Sequence, residues 1–144
     1  MSDTSNKPLP SAVYEQRVPF HDCDPLRIVW HGHYYKYLEC AREVLMRQQR
    51  LDVPDMIELG YEMVVIESRC RYASPLRYGD LFRVRVRTLD IEQRIHLGYE
   101  IHNLSAEPGS KGPPRVARAW TTLVVTRKGE MMMETPHEVL ERLR

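Results

Sequence analysis

No sign of charge dominates this sequence. Its 21 Lys and Arg residues are nearly cancelled by 20 Asp and Glu, leaving a formal net charge of +1. Nothing global therefore points to nucleic acid, an acidic polymer or a membrane surface, and any cationic effect has to be local. Long apolar runs are missing as well: no stretch approaches the roughly 18 residues of a membrane span, and the polar segment Met1–Pro10 holds no apolar h-region. Cysteine is scarce. Cys23, Cys40 and Cys70 cannot all pair within one chain and no C-x-x-C spacing occurs, which fits a reducing compartment. The expectation is a soluble, cytoplasmic protein of one domain, since 144 residues suffice for one core and not for two enzymatic halves.

What is present reads as one helix early and hairpin-linked strands late. Residues 1–12 are small, polar and interrupted by proline, and are expected to form a flexible tail ahead of a domain over 13–144. Val13 to Phe20 reads as a strand with Tyr14, Val18 and Phe20 on one face. From about His31 to Arg50 the period becomes helical. Tyr34, Tyr37, Leu38, Ala41, Val44 and Leu45 gather on one side, against a narrow strip of Lys36, Glu39, Glu43, Arg47 and Arg50. So wide an apolar arc suits a helix of about 30 Å wrapped by a sheet, ended by Asp52-Val53-Pro54.

Alternation resumes at Val64, Ile66, Ser68, Cys70 and Tyr72, breaks at Ala73-Ser74-Pro75, and turns at Tyr78-Gly79-Asp80. Phe82, Val84 and Val86 alternate with Arg83, Arg85 and Arg87, which predicts a strand with one apolar and one cationic face. Further strands follow at Ile95–Ile101 and Val116–Thr126, separated by the Pro- and Gly-rich stretch 103–114. Lys128-Gly129 then turns, Met131–Met133 continue the sheet or fill the core, and Pro136 precedes a short amphipathic helix. The class is α+β, an antiparallel sheet around a helix.

The segment that carries chemistry is Phe20–Tyr34. Asp22, Asp24, a proline turn, His31 and His33 stand just ahead of the long helix. A helix start leaves N–H groups unpaired and carries the positive end of the macrodipole, so an oxyanion placed there is stabilised without further side chains. A substrate carbonyl set against it would receive N–H donors from around His31 and Gly32, each good donor being worth roughly 3–4 kcal/mol to the transition state. Asp24 could attack the carbonyl carbon directly or activate a water, both of which need an ionised carboxylate nearby.

The run Asp22-Cys23-Asp24-Pro25, Ile28-Val29-Trp30-His31 and Tyr34 through Leu38-Glu39-Cys40-Ala41-Arg42 resembles the signature of hotdog-fold acyl-CoA thioesterases of the 4-hydroxybenzoyl-CoA thioesterase type. Tyr72, Pro75 and Gly79-Asp80 extend the resemblance over much of the chain. It implies a hotdog fold, an antiparallel sheet wrapped around a long central helix. It also implies Asp24 as the catalytic carboxylate and His31 at the start of that helix, with Gly32 and Tyr34 in the substrate-binding set. A central-helix carboxylate, here Glu39, can enter the partner's site in related folds, and its local alternative is an ion pair with Arg42. The resemblance further implies a homodimer or homotetramer joined edge to edge, and a substrate thioester on coenzyme A or acyl-carrier protein. No cofactor is expected, since coenzyme A is part of the substrate. Relatives usually carry small residues, often glycine, where this chain has Leu26-Arg27, and asparagine where it has His33. These departures point to a narrower or more cationic pocket mouth.

Arginines at 69, 71, 77, 83, 85, 87 and 94 form a second constellation. Guanidinium groups bind phosphates through paired hydrogen bonds, and Arg87 and Arg94 are the candidates for the phosphates of coenzyme A. The same surface could serve an acidic carrier protein. Two other functions fit the residues: a metal hydrolase using His21, Asp22, Asp24, His31 and His33, which have no regular ligand spacing, and an acyl-thioester binding domain without turnover, favoured by Leu26-Arg27. Neither metal nor nucleic acid nor membrane is the leading expectation.

Overall fold

The computed structural model describes residues 7–144. Among them, β1 (Ser11–Arg17), β2 (Glu62–Tyr72), β3 (Leu81–Asp90), β4 (Ile95–Asn103), β5 (Arg115–Arg127) and β6 (Glu130–Met131) form one sheet, and α1 (His33–Gln48), α2 (Val53–Leu59) and α3 (His137–Leu143) are helical. The strand order is β1-β3-β4-β5-β2, with β6 on β5. All pairings are antiparallel. This curled sheet with its helix is the α+β hotdog arrangement expected.

The core lies between α1 and the inward face of the sheet. Tyr37, Leu38, Ala41 and Leu45 of α1 are fully buried, as are Phe82, Val84 and Val86 of β3, Ile95, Leu97 and Ile101 of β4, and Ala117 and Leu123 of β5. Alternation on β3 therefore places its apolar set inward and Arg83, Arg85 and Arg87 outward, as the sequence predicts. Burying each large apolar side chain contributes about 1.5–3 kcal/mol. The hairpin at Lys128-Gly129 has both residues at positive φ, 52° and 81°, the backbone a tight two-residue turn demands.

Several expectations shift. β1 begins at Ser11 and Ala12 is buried, so the sheet claims the last two residues of the expected tail, whose residues 1–6 lie outside the described ones. Phe20 leaves the strand for a single 3-10 turn over Phe20–Asp22 and is 76% exposed, its ring edge-on to Tyr78. Asp52-Val53-Pro54 opens α2 rather than merely ending α1. The Asp52 side chain and Asp55 form a capping box, with proline in the first turn.

β2 departs most. A register shift between Val65 and Glu67 marks a bulge, after which the face of every residue is reversed. Val64, Val65 and Ile66 are all substantially exposed, whereas Ser68, with Val65, lines a cavity beside α1. Met131 and Met133 are exposed too, the latter at 90%, and only Met132 packs on the core.

Candidate active site

The segment ahead of α1 is a small hairpin. Asp24 N donates to the Ile28 carbonyl at 2.9 Å, Trp30 N to the Asp22 carbonyl at 3.0 Å, and Cys23 bridges Val29 between them. Val29 N bonds to the Leu76 carbonyl, and Ile28 bridges Arg77, which pins this hairpin to the chain leaving β2. That chain is fixed in turn by Asp80, whose Oδ2 accepts from Arg77 N and Asn103 Nδ2.

Asp22 anchors the hairpin to α1. Its side chain is completely buried, Lys36 Nζ donates to Oδ1 at 2.5 Å, and the Tyr37 hydroxyl donates to Oδ2 at 2.6 Å. Burial alone would raise its pKa, but those two hydrogen bonds, with the Lys36 charge, hold it below the ordinary carboxylate value. The same arrangement pushes Tyr37 up, burial first and the Asp22 bond second. His21 and His33 approach the Asp22 carboxylate only at 3.8 and 3.9 Å.

Asp24, two residues on, is half-buried and keeps a free oxygen. Its Oδ1 accepts from Leu26 N at 2.8 Å, closing the turn in which Arg27 sits at φ 69°. Its Oδ2 has no partner among the described residues. The turn explains how a chain with Leu26-Arg27 in place of small residues still makes the bend: Arg27 takes the left-handed conformation itself.

At the start of α1, Gly32 is the cap residue, and the N–H groups of His31 and Gly32 find no acceptor among the described residues. His33 N donates to the Trp30 carbonyl, and the His31 carbonyl takes Tyr34 N and the Tyr72 hydroxyl, the latter at 2.9 Å. The His31 ring is exposed, with Trp30 at 5.1 Å and Tyr72 at 6.2 Å between ring centroids, and has no hydrogen-bond partner among the described residues. The Trp30 indole closes over Gly32, so a Cβ there would collide with its six-membered ring.

Other expected residues are distributed differently. Tyr34 is buried, and its hydroxyl accepts from Leu76 N at 3.2 Å. It holds the Leu76 segment in place and is not available to a substrate within this subunit. Glu39 is exposed and paired with Arg42 at 2.5 Å, the local alternative foreseen for it, and it also borders a groove of about 540 Å³ between α1, α2 and β2 that touches neither Asp24 nor His31. Arg87 stands on the outer face of β3. Arg94 follows β3 at the end away from the Asp24 hairpin, its guanidinium against Met131 Sδ. Ten strand residues at about 3.3 Å each separate the two, so Arg94 cannot meet Asp24 of its own chain.

Among the described residues no three His, Cys, Asp or Glu side chains converge as a metal site would require. Cys23 is pushed toward the neutral thiol by burial and by Asp22, Asp24 and Asp80, against nucleophilic use. Sequence reasoning missed Lys36 and Tyr37 as the partners of Asp22, Tyr72 as the brace of the His31 carbonyl, and Trp30 as the cover of Gly32. The first three lie 14 to 41 residues from their partners, beyond any local spacing, whereas the Trp30–Gly32 proximity was visible as a bulky residue two before a glycine.

Comparison with known proteins now bears on this geometry. Residues 18–143 match the model of the thioesterase-like superfamily. The chain belongs to that superfamily. It is 30% identical over 132 residues to an Aquifex aeolicus protein named "Putative esterase", covering 92% of this chain and 97% of that one. The 4-hydroxybenzoyl CoA thioesterase solved with 4-hydroxybenzoyl CoA superposes with a TM-score of 0.79 at 18% identity, covering 93% of this chain and 99% of the other. The 1,4-dihydroxy-2-naphthoyl-CoA thioesterase of Synechocystis gives 0.76 at 18%, covering 92% and 93%. At such identities these two structures establish the shared fold of this superfamily member.

Proposed function

We propose that this member of the superfamily hydrolyses the thioester of an acyl group carried on coenzyme A or on a carrier protein. The observation that carries the reading is the pair of unengaged N–H groups at His31 and Gly32, opening α1 a short hairpin away from the free Oδ2 of Asp24. The carbonyl oxygen sits against those N–H groups, which stabilise the charge it develops. The Asp24 carboxylate attacks the carbonyl carbon, expelling the thiolate and leaving an acyl-aspartyl anhydride that water then hydrolyses, or it takes the proton of a water that attacks the carbonyl carbon and passes that proton to the departing thiolate. The His31 side chain, exposed and unbonded, flanks the carbonyl. Coenzyme A is substrate here, not cofactor.

The working unit is a homodimer or a larger homo-oligomer. β2 is a sheet edge carrying exposed Val64, Val65 and Ile66, an unpaired apolar border that a second copy would cover. Glu39 beside that edge would then approach the partner's site, and Arg87 is the candidate contact for a coenzyme A phosphate.

A second reading has its own support. The Leu26 N–H bond to Asp24 is what a purely structural turn aspartate makes, and it favours a binding domain without turnover. A thiol-release assay across benzoyl, short-chain and long-chain thioesters on both carriers separates the two. Turnover of at least one class, lost in Asp24→Asn, is the expected result, and binding without release supports the second reading.

A further inference from the structure

The outer face of the sheet, turned away from α1, carries a cationic patch of which only Arg87 has been given a part in the reaction, as a phosphate contact. In one row across the strands Arg69 of β2 stands opposite Trp120 of β5, Trp120 opposite Gly98 of β4, and Gly98 opposite Arg87 of β3. The next row runs Arg71, Arg118, Glu100, Arg85. Directly opposed residues share a face, so these side chains form one surface spanning three strand spacings, about 14 Å. Arg69 and Arg118 lie over the Trp120 ring at 4.6 and 5.4 Å, which holds two guanidiniums in fixed places on the indole. None of Arg69, Arg71, Arg85, Arg87 and Arg118 has a carboxylate within 4 Å among the described residues, whereas Arg83 at the rim is paired with Glu15. A protein of net charge +1 thus concentrates unneutralised charge on one face.

We propose that this face docks an acidic carrier protein that delivers the acyl thioester, an inference that rests on the thioester hydrolysis proposed above and names its protein partner. Position supports it. Tyr72 faces α1 and braces the His31 carbonyl, and Arg71, its neighbour, faces outward. The patch therefore lies one sheet thickness behind the start of α1, and a flexible phosphopantetheine arm reaches the site past the end of β2. A single nucleotide is smaller than the span of the arginines. A nucleic acid is disfavoured because Glu100 and Glu67 interrupt the face and would repel a uniformly charged phosphate backbone, and because guanidiniums already cover the indole on which a base would stack. A protein surface of mixed charge matches this pattern, with acidic side chains meeting the arginines.

The test uses an acidic acyl carrier protein bearing a benzoyl or octanoyl thioester, with the full-length enzyme. In calorimetric titration the wild type binds it with an affinity that falls as salt rises. Arg69→Glu and Arg118→Glu each weaken binding at least about ten-fold, and Arg118→Lys, which keeps the charge, stays within about three-fold. Hydrolysis of benzoyl-CoA by these variants changes by less than about two-fold, a control for folding. Independently of any variant, hydrogen exchange on the wild type with carrier added shows protection at residues 69–71 and 118–120. No carrier binding, binding indifferent to both reversals, protection confined to other segments, or tighter binding of an RNA or DNA oligonucleotide through the same arginines would each overturn the proposal. Binding is read without turnover, so a protein that docks the carrier through these arginines yet cleaves no thioester refutes the hydrolysis and leaves the surface standing.

Discussion

Asp22 and Asp24 are separated by one cysteine and meet opposite environments. The first is sealed under α1 with both oxygens engaged by Lys36 and Tyr37; the second tops an open turn with one oxygen free. The 3-10 turn at Phe20–Asp22 makes the difference, because it rotates Asp22 into the core before the chain straightens at Cys23. A carboxylate that is fully bonded is a structural anchor, and one left with an unsatisfied oxygen, in the hairpin that leads into a helix start whose N–H groups have no acceptor among the described residues, can do chemistry. Residue type alone does not separate the two roles.

The strongest way to break this contrast is to neutralise each member in turn. Asp24→Asn is expected to lower kcat by about 10²–10⁴-fold while the melting temperature moves by no more than about 2 °C. Asp22→Ala reverses the pattern. It strands the buried Tyr37 hydroxyl and frees Lys36, costing about 1–3 kcal/mol and lowering the melting temperature by several degrees, with kcat of the folded fraction falling far less. Equal losses of stability in the two variants would erase the distinction.

Acid titration sharpens the same comparison. Asp22 has its folded pKa below the ordinary value, so its contribution to stability is complete above about pH 4 and is lost as the pH falls through the folded value. Between about pH 5 and pH 2 the denaturant midpoint of the wild type should drop more steeply than that of Asp22→Asn. A smaller effect is expected at Gly32→Ala. Its φ of −67° accepts a side chain, but the new Cβ evicts the Trp30 indole, so tryptophan emission should shift to the red relative to wild type, with Trp30→Phe as the reference that lacks this signal. Unchanged emission would place the indole elsewhere.

Much of the fold was legible because its signals are local. The alternation of β3, the apolar arc of α1 and the Lys128-Gly129 turn each follow from neighbours a few residues apart. That Asp24 and His31 stand in the hairpin and at the helix start was legible through a motif resemblance, and their catalytic roles are proposals. Elsewhere the deciding contact was distant. The β2 bulge reversed the faces of Val64 and Ile66, and periodicity cannot show where one extra residue enters a ladder. Tyr34 was placed with the substrate because it follows the motif, and the structure gives its hydroxyl to Leu76, 42 residues on. That Arg94 stands at the far end of β3 from the Asp24 hairpin was hidden for the same reason, since only the assembled sheet shows where β3 carries the chain.

The most direct measurement is a crystal structure of Asp24→Asn with an intact benzoyl-CoA. The account predicts the thioester carbonyl oxygen about 3 Å from the His31 or Gly32 N–H, with its carbonyl carbon facing Asn in place of Asp24 and Asp22 still bonded to Lys36 and Tyr37. A thioester seated in the groove between α1 and α2, or a carbonyl turned away from the start of α1, would contradict it.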